Sequence, residues 1–362
     1  MARLGEIGRI ITGNTPKTSE IENYSSNDIY FVKPSDILEN DITYINDSEF
    51  YISEAARDKA RILPPQSILV TCIGIIGKVA INQIECAFNQ QINAIIPNLK
   101  KCAPNYLAYA IQYKKNEIQS IANAAVVPIL NKTQFSDIEI NLPQLDEQHK
   151  SAAVLDKLTG LISLRKQQLA KVDELVKARF VEMFGDPIRN DKCLPAKELG
   201  SICLLKAGIT TSAEEIRDHD AEYQIPCYGG NGIRGYVKTS TQHGIYPIIG
   251  RQGALCGNVQ LAQGYFHATE HAVLVTPLVE LNIFWLFYLL KYMDLYRYHT
   301  GAAQPGLAVK TLNTVSVPIA GLDQQNEFAI LVKEIAQQKL TIQQSLDKLE
   351  VLRKSLMQEY FG

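Results

Sequence analysis

The sequence predicts an α/β protein in which two tandem globules are joined by two long antiparallel coiled-coil helices, with a pseudo-two-fold internal repeat. Three observations predict this. First, Asn105 to Lys114 (NYLAYAIQYK) lines up with Asn282 to Lys291 (NIFWLFYLLK) at an offset of 177, and that offset runs to the C-terminus without a gap. It pairs Pro128 with Pro305, Leu130 with Leu307, Leu145-Asp146 with Leu322-Asp323, Gln148 with Gln325, and Phe184-Gly185 with Phe361-Gly362. Leu4 to Gly13 (LGEIGRIITG) answers Leu199 to Gly208 (LGSICLLKAG) at a slightly longer offset. Second, short β-type runs broken by glycine and proline fill the first part of each copy. Third, each copy closes on a long apolar-periodic segment without internal proline. A repeat this long is a duplicated domain and not a solenoid, whose unit is roughly 20–50 residues.

In residues 1–145 the β-rich runs are Ser67 to Thr71, Lys78 to Ile81 and Ala94 to Ile96, interrupted by Pro64-Pro65, Gly74 and Gly77. A helix over 105–121 follows, then a loop and a strand-like Ile138 to Ile140. Residues 146–185 read as the first coiled-coil helix. Leu155, Ile162, Leu169, Val176 and Met183 recur every seven residues, with Leu158 and Val172 beside them, an a/d seam. Asp146 is placed to cap its start and Gly185 its end. Residues 186–322 form a linker and the second globule, with β-type runs at Tyr246 to Ile249 and Ala272 to Val275, a helix over 282–297, and a strand-like Val315 to Val317. Residues 323–362 are the second helix, whose seam is shifted to Ile335, Ile342, Leu349 and Leu356. Asp323 and Gly362 are its expected caps. Helices with staggered seams can pack on each other and leave apolar flanks for a partner. At about 1.5 Å per residue each is too long for one globule of about 145 residues, which favours an antiparallel coiled coil between globules over two separately docked helices.

Composition narrows the class. The 362 residues suit two domains of ordinary size, each able to bury a core. The net charge is −2, with 13 basic and 15 acidic side chains in residues 1–145 and 11 of each in 186–322. A DNA-binding role then requires basic residues concentrated on one surface, or a partner that supplies phosphate contacts. Seven scattered cysteines without a CxxC suggest reduced thiols, with neither a zinc site nor a disulfide framework. The start is not a signal peptide, and the most apolar stretch, Ile283 to Leu290, is far shorter than the roughly 20 residues that span a bilayer. The expectation is a soluble, cytoplasmic protein with no membrane partner.

Catalytic signatures are missing. There is no Asp/Asn-Pro-Pro-Tyr/Phe tetrapeptide, no strand–GxG–helix cofactor loop, no GxxxxGK[ST] and no HExxH. His267 and His271 are four apart, but the intervening ATE reads as strand, so they are taken as surface or base-reading side chains and no metal site is assigned. The loops are rich instead in side chains that bond base edges: Asn and Gln match adenine, Arg matches guanine, and glycine lets the backbone approach phosphate. The candidates in the first globule are Asn14, Thr15, Lys17, Lys78, Asn89, Gln90, Gln91, Lys132 and Gln134. In the second they are Asn231, Arg234, Tyr236, Arg251, Gln252, His267, Thr269, His271, Gln304 and Lys310. They fall at equivalent places in the two copies.

At these residues the chain resembles the specificity (S) subunits of type I restriction-modification systems. The carriers are Leu4-Gly5-Glu6-Ile7, the Tyr228 to Tyr236 stretch (YGGNGIRGY) with Gly250-Arg251-Gln252-Gly253, and Leu142 to Gln148 (LPQLDEQ) leading into a helix that ends in Met183-Phe184-Gly185-Asp186-Pro187. Copy two departs at Pro318 to Gln325 (PIAGLDQQ). The resemblance implies that residues 1–145 and 186–322 are target-recognition domains, each reading half of an asymmetric bipartite DNA site. It implies that the two helices set the spacer and dock two modification subunits. S-adenosylmethionine, ATP and Mg are then expected on modification and restriction subunits, with no catalytic residue, cofactor or metal on this chain. Two other readings remain: a protein–protein adaptor built on a coiled coil, and the recognition fragment of a fused restriction-methyltransferase.

Overall fold

The apolar runs of the first globule have no polar alternation because their strands are covered on both faces. The computed structural model describes residues 1–123, 128–301 and 305–362, which divide into unit one (1–166 with 345–362) and unit two (167–344). In unit one the strands of three or more residues are Gly8–Thr12 (β1), Ile29–Val32 (β2), Thr43–Ile45 (β3), Ile68–Thr71 (β4), Val79–Asn82 (β5), Cys86–Phe88 (β6) and Ile92–Pro97 (β7). A five-stranded sheet has the order β1-β7-β4-β5-β3, antiparallel except where β3 joins β5. Ile68, Val70, Val79, Ile81 and Ile95 point into one apolar cluster, while Leu69, Ala80, Ile92 and Ala94 point into another. The first cluster is closed by a helix, Pro104–Tyr113 (α1), and the second by β2 and β6 of a smaller sheet. The sequence expected one helix over 105–121. Instead Lys114 takes a near-zero ψ of 5°, and a second helix, Lys115–Asn123 (α2), follows. A short helix, Lys132–Ser136 (α3), precedes the first long one, Leu145–Phe184 (α4).

Unit two repeats the plan. Its strands Cys203–Ala207 (β8), Ile225–Gly229 (β9), Gly232–Val237 (β10), Gln242–Gly250 (β11), Val259–Ala268 (β12) and Ala272–Pro277 (β13) form one sheet, ordered β8-β13-β11-β12-β9-β10. Ile249, Val259, Val273 and Val275 face a core with the helix Ile283–Tyr292 (α5), and Ile248, Leu274 and Phe266 face a second cluster. The helix expected over 282–297 ends sooner because Asp294 adopts a left-handed φ of 49°, which no α-helix continues through. The short helix Val309–Asn313 (α6) answers α3, and Leu322–Phe361 (α7) answers α4.

Each long helix has 40 residues, about 60 Å at 1.5 Å per residue. Both begin one residue earlier than expected, so Asp146 and Asp323 lie in the first turn and are not the caps. There the carboxylates still favour the positive end of the helix. The C-terminal caps match the sequence reading: Gly185 N–H donates to Val181 O (2.8 Å) and Gly362 N–H to Gln358 O (2.9 Å). The helices run antiparallel, as Lys166 pairs with Glu350 in unit one (3.4 Å) and Lys339 with Asp173 in unit two (2.7 Å). The seam residues face inward. Leu155, Ile162, Val176 and Ile335 are buried, and Leu169, Ile342, Leu349 and Leu356 are half-buried. Leu155 and Phe361 belong to the core of unit one, and Val176, Phe180, Phe184 and Ile335 to that of unit two. Each helix thus starts in one unit and ends in the other. Every cysteine except Cys193 is buried, and burial pushes the Cys86, Cys102 and Cys203 thiols up to about 12, which makes them inert packing groups. Among the described residues no helix is long and apolar enough to cross a membrane.

Candidate nucleic-acid interface

One backbone arrangement is built twice. After β1, Gly13 N–H donates to Ile92 O and Asn14 N–H to Phe88 O, both at 3.0 Å; after β8, Gly208 N–H donates to Ala272 O (3.0 Å) and Ile209 N–H to Ala268 O (2.9 Å). Glycine is required at both places. A Cβ at position 13 would lie 2.0 Å from the Asn89 carbonyl oxygen, and one at position 208 would lie 2.1 Å from that of Ala268. The next rung also repeats: Cys72 N–H donates to Gln91 O (2.8 Å) and Arg251 N–H to His271 O (3.0 Å). Leu130 N–H then reaches Cys72 O (3.0 Å), and Leu307 N–H reaches Arg251 O (2.8 Å). These bonds make Asn89-Gln90-Gln91 and Thr269-Glu270-His271 occupants of the same turn on the same scaffold. Beside each turn lies a hairpin loop, 72–77 or 251–257, ending in a glycine with φ near +85° (Gly77 at 87°, Gly257 at 84°).

In unit one several candidates hold the loops in shape. Asn14 accepts from Arg61 N–H (2.8 Å) and donates to Lys59 O (2.7 Å), Asn89 bonds Gln91 at its backbone N–H and side chain, and Gln134 closes a capping box with Asn131. The Lys78 ammonium donates to the carbonyls of Pro34 and Ile37, each at 2.9 Å. The outward side chains are Thr15, whose hydroxyl donates to Gln90 Oε1 (2.5 Å), together with Lys17, Gln90 and Lys132. Lys17 pairs with Glu20 at 3.9 Å.

In unit two a concavity of about 590 Å³ brings Asn231, Arg234, Gln252 and His271 together over the glycines of the β9–β10 turn. Asn231 Oδ1 accepts from Asn258 (2.6 Å), which leaves its amide hydrogens free for a ligand. Around it lie buried polar atoms with no partner: Arg251 Nε, His267 Nδ1, Thr269 Oγ1 and His271 Nδ1. Buried polar groups are normally satisfied, so these four atoms, in and beside the 269–271 turn, leave hydrogen-bonding capacity there for a polar partner or ordered water. Their roles follow from proton counting. The Thr211 hydroxyl donates to Ile209 O (2.9 Å), so at His267 Nε2 (2.7 Å) it accepts, and His267 Nδ1 presents a lone pair. Burial lowers the His267 pKa and keeps the ring neutral. His271 Nε2 lies 3.1 Å from Glu270 Oε1, which leaves its Nδ1 facing outward from that pair. The three residues 269–271 form a turn between β12 and β13, so the expectation of a strand between the two histidines is corrected: the β12 ladder ends at Ala268. Tyr236 meets His219 edge-on at 4.7 Å, and Lys310 is exposed on α6. Gln304 lies outside the described residues.

In unit one, two side chains that the sequence did not single out, Arg9 and Arg61, share a hollow of about 530 Å³ with the candidate Lys132 and with Thr12. Arg9 stood in the quoted LGEIGRIITG repeat, and strand alternation beside buried Ile10 was the available signal; Arg61 carried none.

The family model for the type I restriction modification DNA specificity domain matches residues 1–174 and again 196–351. The specificity subunit of the type I restriction enzyme EcoprrI from Escherichia coli is 31% identical over 352 residues, 91% of this chain and 85% of that protein. Among solved structures, the S subunit of a type I restriction-modification system from M. genitalium superposes with a TM-score of 0.68 at 15% identity, covering 100% of this chain and 95% of that one. A chain from a structure on complex assembly and conformational transition of the type I R-M system gives 0.55 at 15% identity, covering 99% and 96%. At that identity the two structures speak for the fold alone. A family model that matches both halves of a chain whose scaffold is built twice leaves one assignment: this chain belongs to the type I restriction-modification DNA specificity family.

Proposed function

We propose that this chain is the DNA-reading subunit of a type I restriction-modification complex, that residues 1–145 read one half of a bipartite asymmetric site and residues 186–322 the other, and that the helices 146–185 and 323–362 fix the spacer. Its work is specificity and not catalysis. The observation that carries this reading is the duplicated turn. One scaffold presents Asn89-Gln90-Gln91 in the first copy and Thr269-Glu270-His271 in the second. Conserved geometry with different donors and acceptors suits two DNA segments of like shape and unlike sequence. Two modification subunits carrying S-adenosylmethionine, and restriction subunits using ATP and Mg, are the partners we assign. The near-neutral charge supports this, since partners closing round the duplex would share phosphate neutralisation.

The test is to map methylated adenines in a host expressing the complex with Arg234→Ala or with Gln90→Ala. Arg234 lines the concavity of unit two, and removing a base contact costs about 1–3 kcal/mol of discrimination. Arg234→Ala should relax the second half-site alone and Gln90→Ala the first alone. Changes in the opposite halves would overturn the domain assignment. Absence of any sequence-specific DNA shift by the complex would favour the adaptor reading.

A further inference from the structure

We propose that Arg9, Arg61 and Lys132 form an anchor for backbone phosphates of the first half-site, and that the second half has no counterpart. The inference rests on the DNA-reading role proposed above. The three cations line one hollow, and no carboxylate lines it with them. Arg9 sits at an outward position of β1, its neighbour Ile10 being buried, and Lys132 opens α3. Neither side chain makes a hydrogen bond or ion pair with another described residue. Several other cations of unit one have carboxylate partners, Arg57 with Glu54 and Glu85, Lys59 with Glu20 and Lys114 with Glu117, and what sets this hollow apart is that its cations are gathered in one place. Arg61 is held in place, because its guanidinium donates to the Thr12 carbonyl and its backbone N–H to Asn14 Oδ1 (2.8 Å). Like charges gathered without a counter-ion raise the energy of the free protein, and an anion in the hollow relieves it.

Position identifies the anion. Asn14, bonded to Arg61, is followed by Thr15, which bonds Gln90 of the duplicated turn. The hollow therefore borders outward amides suited to base edges, as phosphates border base edges in a duplex. The strand register shows why the site is confined to one half. Ile10 pairs with Ile95 and Leu205 with Val275, which places Leu204 at the position of Arg9. The 177 offset that carries α3 onto α6 places Val309 at the position of Lys132. Two of the three cations are replaced by aliphatic side chains.

The full chain, in complex with its modification subunit, should be titrated with its cognate duplex over a range of salt, as wild type, as Arg9→Ala/Lys132→Ala and as Arg9→Lys/Lys132→Arg. Losing two phosphate contacts should flatten the slope of log affinity against log salt by about two units, with the methylated sequence unchanged. The charge-keeping variant should restore the slope. Methylphosphonate linkages placed in the first half-site should weaken wild type more than the double-alanine variant, which keeps only Arg61 of the anchor, whereas linkages in the second half should weaken both equally. Excess inorganic phosphate that competed as well as duplex would mark a free-anion site and overturn the assignment to DNA. An unchanged slope, or altered bases in the first half-site, would overturn the anchor while leaving the DNA-reading role standing. A wild-type complex with no sequence-specific binding would overturn that role and the anchor together.

Discussion

Gln148 and Gln325 occupy the same place in the two repeats and do the same work. Gln148 is fully buried: its Oε1 accepts from Ala103 N–H (2.9 Å), and its amide donates to Lys101 O (3.0 Å) and Pro143 O (2.9 Å). Gln325, equally buried, accepts from Asn282 N–H (2.9 Å) and donates to Ala320 O (2.8 Å). Ala103 and Asn282 are the residues before α1 and α5, so each glutamine bolts a long helix to the core helix of its unit. Replacing either with leucine keeps the volume and strands buried backbone groups. We predict a loss of about 1–3 kcal/mol in each case, read by chemical denaturation; a loss under about 0.5 kcal/mol would show that water takes over the bonds. The pairing of these glutamines was visible in the sequence, but their task was not. The reverse holds for Asn14, Lys78, Asn89 and Gln134, whose composition suited base reading and whose side chains hold loop backbone. An irregular loop has peptide groups that no ladder satisfies, so it recruits the same amides and ammonium groups that a nucleic acid would.

At the scale of elements, the long helices are the parts most fully written in the sequence. Seven-residue spacing fixed their seams, and Gly185 and Gly362 their ends, because both are local properties of a helix. Their ion pairs, Lys166 with Glu350 and Asp173 with Lys339, follow the antiparallel register. If these helices set the spacer of the DNA site, lengthening both should change the spacer and nothing else. Inserting four residues after Ala170 and four after Leu340 adds about 6 Å to each helix, close to two base pairs at 3.4 Å. A four-residue insertion perturbs a heptad seam but keeps it continuous. The expected methylation pattern has both half-sites unchanged and a longer spacer. An active variant with its original spacer would exclude the helices as ruler.

For the whole molecule, the decisive feature is the exchange of helix ends. Phe184 and Phe361 are equivalent in the repeat, yet Phe361 packs on Tyr106 and Tyr113 in unit one, while Phe184 packs on Trp285 and Phe328 in unit two. Residues 345–362 are thus core to unit one, where Gln358 also accepts from Tyr113 (2.8 Å) and Arg353 pairs with Asp41 (2.9 Å). Truncation after Gln344 should unfold unit one preferentially. Trp285 is the only tryptophan in the chain and lies in unit two, so its fluorescence should keep a transition near that of the intact protein while circular dichroism gains an early one. Early loss of both signals together would mean that the two units do not unfold separately.

The duplication, the β-rich runs and the long amphipathic helices were determined by the sequence alone, because periodicity and glycine placement act over a few residues and need no partner to be read. Three things were decided only by tertiary structure. The loops 72–77 and 251–257 differ in length, so only the hydrogen bonds around Cys72 and Arg251 put Gln91 and His271 in register. Arg9, Arg61 and Lys132 lie far apart in the chain, and only the sheet gathers them. Each helix end could be read as apolar, but not which globule would bury it, since a hydrophobic face declares that it must be covered and says nothing about by what.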